Sequence, residues 1–165
     1  MTRRQSLAAG ASLLGLMGLV AWRTGPSAGA AESHHFAVTK TDAEWRKLLT
    51  PAQYDILRHQ GTEPPFSSPL DEFFKPGRYD CVGCGQHLYM SDTKYNSHTG
   101  WPSFWAPIDG GIATSTDNSM FMARTEVHCA NCGGHLGHVF DDGPKPTGLR
   151  YCMNGAVLAF HPASA

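Results

Sequence analysis

The chain has 165 residues, five of them cysteine and 18 glycine, with 13 basic against 14 acidic side chains for a formal charge of −1. That length supports one domain with a hydrophobic core, and the ordinary apolar content is that of a globular protein. A near-neutral chain without a Lys/Arg cluster in its body is a poor nucleic-acid binder.

The first 30 residues differ from the rest. Arg3 and Arg4 precede an apolar run from Ala8 to Trp22, and small residues follow, ending AGA. This is the pattern of an export signal, because a spanning helix wants about 20 apolar residues and this run is shorter and interrupted by glycine. Cleavage is expected after Ala30, with Ala31 as the alternative. TRRQSL resembles a twin-arginine signal, although Ser6 stands where a bulky apolar residue is usual; general secretion is the other route. Either delivers the protein to the bacterial envelope, and a periplasmic location is expected. Removing residues 1–30 takes three arginines and no acids, leaving 10 basic and 14 acidic residues and a charge of −4.

Two short helices come next. TDAEWRKLL offers Thr41 as N-cap with Glu44 three residues on, and TPAQYDILRHQG offers Thr50 as cap, Pro51 at the first helical position and Gly61 as terminator. TEPPFSSPL is too rich in proline for a helix or strand and is expected to wrap the domain as an extended loop.

After Asp80 the pattern becomes short β-like runs between turn residues. MFMARTEVHC alternates Phe121, Ala123, Thr125 and Val127 against Met122, Arg124, Glu126 and His128, which predicts a half-buried strand. HLYM, GIATST, HVF, LRYCM and VLAFH are its partners. The expected fold is mainly β and antiparallel, with a small helical preface.

Cys81, Cys84, Cys129 and Cys132 form two C-x2-C pairs, each followed by glycine. Two thiolates in such a knuckle take adjacent corners of a tetrahedron, and two knuckles make a four-thiolate zinc site of structural type, with no position open to substrate. The long intervening segment predicts that the metal joins distant parts of a sheet. Disulfides are the alternative in an exported protein.

Cys152 is left over. In a strand, Arg150, Cys152 and Asn154 share one face while Tyr151 and Met153 share the other, so a guanidinium and an amide flank the thiol. A nearby cation favours thiolate, the reactive form. GGHLGHVFDDGP places His135 and His138 near Asp141 and Asp142, enough for a proton donor and a group to orient it. SHTGWPSFW puts Trp101 and Phe104 in a turn, where an aromatic can wall a small pocket.

EPPFS, CVGCG, GWPSF, CANCGGHLGHVFDDGP and GLRYCMNG, in this order, resemble the methionine-R-sulfoxide reductases, the MsrB family, over residues 38–161. The resemblance implies two antiparallel β-sheets with short N-terminal helices, and one structural zinc held by Cys81, Cys84, Cys129 and Cys132. It makes Cys152 the nucleophile, Trp101 the residue on the sulfoxide methyl group and His138, with His135, the acid toward the sulfoxide oxygen. Arg150, Asn154 and Asp142 match supporting positions. Many members carry a resolving cysteine where Thr99 stands, so reduction of a Cys152 sulfenic acid by an external thiol, thioredoxin-like or small, is implied. Oxidised envelope proteins are the expected substrates of a monomeric enzyme. A non-catalytic zinc-stabilised binding module is the rival, and Cys152 discriminates against it.

Overall fold

The structure, a computed structural model, describes residues 36–119 and 123–164. The export signal read in residues 1–30 therefore lies outside the described residues, and among those described no helix is long and apolar enough to cross a membrane.

Helix α1 (Asp42–Leu48) begins with the expected capping box, Thr41 and Glu44 satisfying each other's backbone N–H. Helix α2 (Pro51–His59) has a second box, Thr50 with Gln53, around Pro51 at its first position. It ends differently from expectation. Gln60 takes the left-handed conformation at φ 57, and Gly61 follows as the residue whose missing Cβ makes room for Asp55. Trp45, Tyr54, Ile56 and Leu57 bury the inner faces of both helices.

Nine strands follow among the described residues: β1 (Gly77–Cys81), β2 (His87–Met90), β3 (Lys94–Tyr95), β4 (Ser103–Phe104), β5 (Ile112–Asp117), β6 (Arg124–Cys129), β7 (His135–Phe140), β8 (Arg150–Met153) and β9 (Leu158–Pro162). They form a three-stranded sheet in the order β2-β1-β9 and a six-stranded sheet in the order β3-β4-β8-β7-β6-β5, with every pairing antiparallel. The two-sheet, mainly β fold with short N-terminal helices is the one expected.

Aromatic side chains fill the space between the sheets. Tyr89 of the small sheet stacks on Phe104 of the large one at 4.3 Å, Tyr79 meets Phe104 edge-on at 5.1 Å, and the Tyr89 hydroxyl donates to Met153 Sδ at 3.1 Å. Met153 and Tyr151 thus face the core, which turns Arg150 and Cys152 to the opposite face of β8.

Strand β6 departs from the half-buried pattern. Residues 120–122 lie outside the described residues, Thr125 is exposed, and Glu126 to Cys129 are all buried. A central strand with polar groups packed over its outer face is covered on both sides, so alternation fades where the site begins.

Candidate active site and cysteine cluster

The two cysteine knuckles are built alike. Cys81 ends β1 and Cys129 ends β6, each carbonyl accepting from the N–H of a glycine four residues on, Gly85 and Gly133. Both glycines have positive φ, 74 and 66, as the knuckle chemistry requires. The four sulfurs lie within 4.8 Å of one another, with Cys81 and Cys132 at 3.9 Å and Cys84 and Cys129 at 3.5 Å. Tetrahedral metal–sulfur bonds of about 2.3 Å place sulfurs about 3.8 Å apart, whereas a disulfide needs about 2.05 Å. All five cysteines are free thiols, and the cluster has the donors and spacing to hold a metal ion. It ties β1 of the small sheet to β6 of the large one, so it joins two sheets and not distant parts of one.

The second group of polar residues runs across the large sheet. Cys152 on β8 is the register partner of Ser103 on β4 and of His138 on β7; His138 partners Glu126 on β6, and Glu126 partners Ser115 on β5. Register partners project to the same face. Five strands therefore contribute one polar row. His135 joins it through an irregularity: β6 steps from Val127 to His128 while its partners step from Gly137 to His135, which makes Leu136 the extra residue of a β-bulge. In a regular strand, residues 135 and 138 would face opposite sides. The bulge brings their rings to 5.3 Å.

Trp101, His138, Cys152, Asn154 and Thr62 line a cavity of about 150 Å³ beside this row. His138 Nε2 meets Asp117 Oδ2 at 2.8 Å, and Arg124 donates to the same carboxylate oxygen at 2.7 Å. The Ser119 hydroxyl and amide, then His138 and Arg124, hold the Asp117 carboxyl far below the usual range. His135 is 2% exposed and sits behind His138, with Nδ1 2.7 Å from Glu126 Oε1. Burial pushes its pKa down, against the pull of Glu126.

Burial also pushes the Cys152 thiol up, while the Arg150 charge and the hydroxyl of Thr99 oppose it. The expected effect of the cation is present, but burial outweighs it. Arg150 donates through Nε and Nη2 to both oxygens of Asp142, each at 2.8 Å, with its guanidinium 4.4 Å from the Phe140 ring centre. Thr99 continues into a hydroxyl chain, 2.8 Å to Ser97 and from Ser97 2.7 Å to Ser103, which donates to the Trp101 carbonyl at 3.1 Å.

Glu63, which sequence reasoning passed over, holds the cavity walls together. Its carbonyl accepts from Trp101 Nε1 at 3.1 Å, its N–H donates to Asn154 Oδ1 at 2.9 Å, and its carboxylate accepts from the N–H groups of Gly155 and Ala156 at 2.6 and 2.8 Å. Burial raises its pKa against those two donors. Asn154 is buried by the same bonds and donates to the Leu136 carbonyl at 3.0 Å, so its amide links the bulge to the segment carrying Glu63. Asp117 and Glu126, which orient the two histidines, were also unmarked; an acidic residue in a proline-rich loop, an acid at the end of β5 and one inside β6 were the only signals. Phe104 does not wall the cavity. It is fully buried in the inter-sheet core.

The family model of the SelR domain matches residues 49–162. Proteins named peptide methionine sulfoxide reductase MsrB align over most of the chain: one from Agrobacterium fabrum is 53% identical over 126 residues, 76% of this chain and 93% of that protein. The chain belongs to the MsrB family. Its MsrB relative from Leptospira interrogans is 54% identical over 127 residues, covering 76% of this chain and 97% of the relative. An archaeal MsrB, from Methanosarcina barkeri, is 54% identical over 125 residues, 75% of this chain and 88% of the relative.

Proposed function

We propose that the protein reduces methionine-R-sulfoxide, carried in oxidised proteins, to methionine, with Cys152 as the nucleophile. The observation behind this assignment is the cavity in which Cys152, His138 and Trp101 meet. The Cys152 sulfur attacks the electrophilic sulfoxide sulfur while the oxygen is protonated, since an unprotonated oxygen leaves poorly. Asp117 engages Nε2 of His138, so Nδ1 is the nitrogen that takes the thiol proton and passes it to the oxygen. The oxygen ends on Cys152 as sulfenic acid, methionine departs as the sulfide, and two electrons have moved from Cys152 to the substrate.

Thiol and sulfoxide become sulfenic acid and sulfide with no net proton uptake. A thiol held above its ordinary pKa therefore brings the proton that the reaction needs. Trp101 packs on the methyl group, and fixed places for methyl and oxygen accept one epimer of the chiral sulfur, which in this family is R. Arg150, pinned by Asp142, stabilises the thiolate as it develops.

Thr99 faces Cys152 where many MsrB proteins carry a resolving cysteine, and the other four thiols belong to the cluster. An external thiol, on a thioredoxin-like domain or a small molecule, attacks the sulfenic sulfur and releases water, and a second thiol frees Cys152 from the mixed disulfide. The cluster donors suit zinc, which when bound cross-links the two sheets through Cys81, Cys84, Cys129 and Cys132 with no open position. Residues 1–30 serve as an export signal cleaved after Ala30, which places repair in the bacterial envelope. N-terminal sequencing of the periplasmic protein checks this.

The deciding experiment offers the R and S epimers of blocked methionine sulfoxide separately, with excess dithiothreitol, to the mature protein and to Cys152→Ser. Reduction of the R epimer alone, lost in the variant, is expected. Equal turnover by Cys152→Ser would remove the nucleophile from the assignment.

A further inference from the structure

The cavity volume of about 150 Å³ is well below the roughly 300–1,000 Å³ of sites that enclose a whole small ligand. It has room for a side chain and little else. For a protein-bound methionine sulfoxide, the activity proposed above, the backbone and the neighbouring residues must then rest on the rim.

Thr62 lines that cavity, and the residues that follow it are tied to the segment carrying Trp101, another lining residue, at two points. The Glu63 carbonyl accepts from the Trp101 indole, and the Phe66 N–H donates to the Gly100 carbonyl at 2.7 Å. The ring of Phe66 lies against Gly100, where a Cβ would stand 2.9 Å from Phe66 Cδ2 and 2.8 Å from its backbone nitrogen. Only a residue without a side chain allows this approach.

Phe66 is held there at some expense to the fold. Its φ is 62, a left-handed conformation that bulky side chains rarely adopt. The residue is 70% exposed, so its contact with Gly100 leaves most of the ring in water and offsets little of the strained backbone. Pro64 and Pro65 beside it are also exposed and have no N–H to pair with an incoming strand. Recognition at this edge must therefore come from side chains. Rigid strain next to a reactive cavity points to function, and an exposed aromatic points to an apolar partner.

We infer that Phe66 is a specificity-determining contact that packs on an apolar or aromatic residue adjacent to the methionine sulfoxide in the protein substrate. The inference rests on the proposed activity and adds to it a preference for sulfoxides in apolar surroundings, where oxidation has exposed a formerly buried segment.

The test uses Phe66→Gly, which removes the ring at a position whose φ glycine adopts freely, so the fold is retained. The substrates are blocked methionine-R-sulfoxide and short peptides with one such sulfoxide flanked on either side by Phe or by Ser. Wild-type protein is expected to prefer a Phe-flanked peptide, and Phe66→Gly to lose about five- to tenfold in kcat/KM on it, chiefly through KM. The blocked amino acid should be reduced equally by both proteins. Unchanged flank preference in Phe66→Gly, or an equal loss on the blocked amino acid, would overturn the contact while leaving the activity intact. A wild-type protein inert toward every sulfoxide would overturn both.

Discussion

Cys129 and Cys152 stand in the same six-stranded sheet, two strands apart, and their surroundings give them opposite chemistry. Cys129 is fully buried, its sulfur faces three other sulfurs, and its knuckle is held by glycine turns. Cys152 has no second thiol in its cavity; a hydroxyl, a guanidinium, an imidazole and an indole surround it. The company of a thiol, more than its depth, decides whether it becomes a ligand or a nucleophile.

The largest effects separate these two thiols. Cys152→Ser should abolish sulfoxide turnover and leave the melting midpoint within a degree or so, because one polar atom replaces another at the cavity wall. Cys129→Ser should do the reverse damage first. Losing a structural metal site of about 4 kcal/mol lowers the midpoint of a domain this size by roughly 10 °C. Calorimetry on both variants, with zinc content measured beside it, checks the contrast. If Cys129→Ser held as much zinc as the unmodified protein and kept its midpoint, the cluster would not be the cross-link between the sheets.

The next effect tests how Cys152, the proposed nucleophile, is served. Asp117→Asn keeps the shape but removes the carboxylate that engages His138 Nε2, so the imidazole loses its fixed tautomer. A fall in kcat of about a hundredfold is expected, within the range a positioned acid–base group supplies. Glu126→Gln should cost less, since it acts on His135 one layer further from Cys152. Kinetics on the blocked R epimer, with KM reported separately, distinguish a proton-transfer defect from weaker binding.

These partnerships show where sequence reasoning stops. The Thr41–Glu44 box, the Thr50 cap, the knuckles and most of the strands were legible because each depends on residues within a few positions of one another, whereas β1, β3, β4 and the order of strands in the two sheets were not. The alternation that puts Cys152 opposite Met153 was legible for the same reason. The bulge at Leu136 was not, since nothing in HLGH distinguishes an extra residue from a regular pair until Val127 and His128 supply the register. Glu63 satisfies N–H groups more than 90 positions away, and no local pattern announces that. Phe104 shows the converse failure: its turn-rich neighbourhood suggested exposure, but Tyr89 and Tyr79 from the other sheet enclose it.

A smaller perturbation would make Cys152 behave more like its paired counterparts. Thr99→Cys places a second thiol where a hydroxyl now interacts with Cys152. After one turnover without reductant, mass spectrometry should find a disulfide between Cys152 and the introduced thiol in most molecules of the variant and, in the unmodified protein, a sulfenic acid instead. Persistence of the sulfenic acid in Thr99→Cys would mean that the loop cannot close on Cys152.

The smallest expected effect concerns the acidity of Cys152. Burial is the leading influence and raises the thiol above its ordinary value of 9.0, so the midpoint of its alkylation by iodoacetamide should lie above pH 9.0. Arg150 works in the opposite direction through its charge and its hydrogen bond, and Asp142 works with burial. Arg150→Met removes the favourable charge and leaves Asp142 unneutralised, so the midpoint should climb further and alkylation at neutral pH should slow. Restoring neutrality with Arg150→Met and Asp142→Asn together should bring back part of the shift, because the removed carboxylate no longer opposes thiolate formation. The cluster thiols, if they hold a metal that keeps them deprotonated, should show no such titration. A midpoint in Arg150→Met equal to or below that of the unmodified protein would mean that the guanidinium serves Asp142 and Phe140 as a packing element and leaves the Cys152 thiol to burial alone.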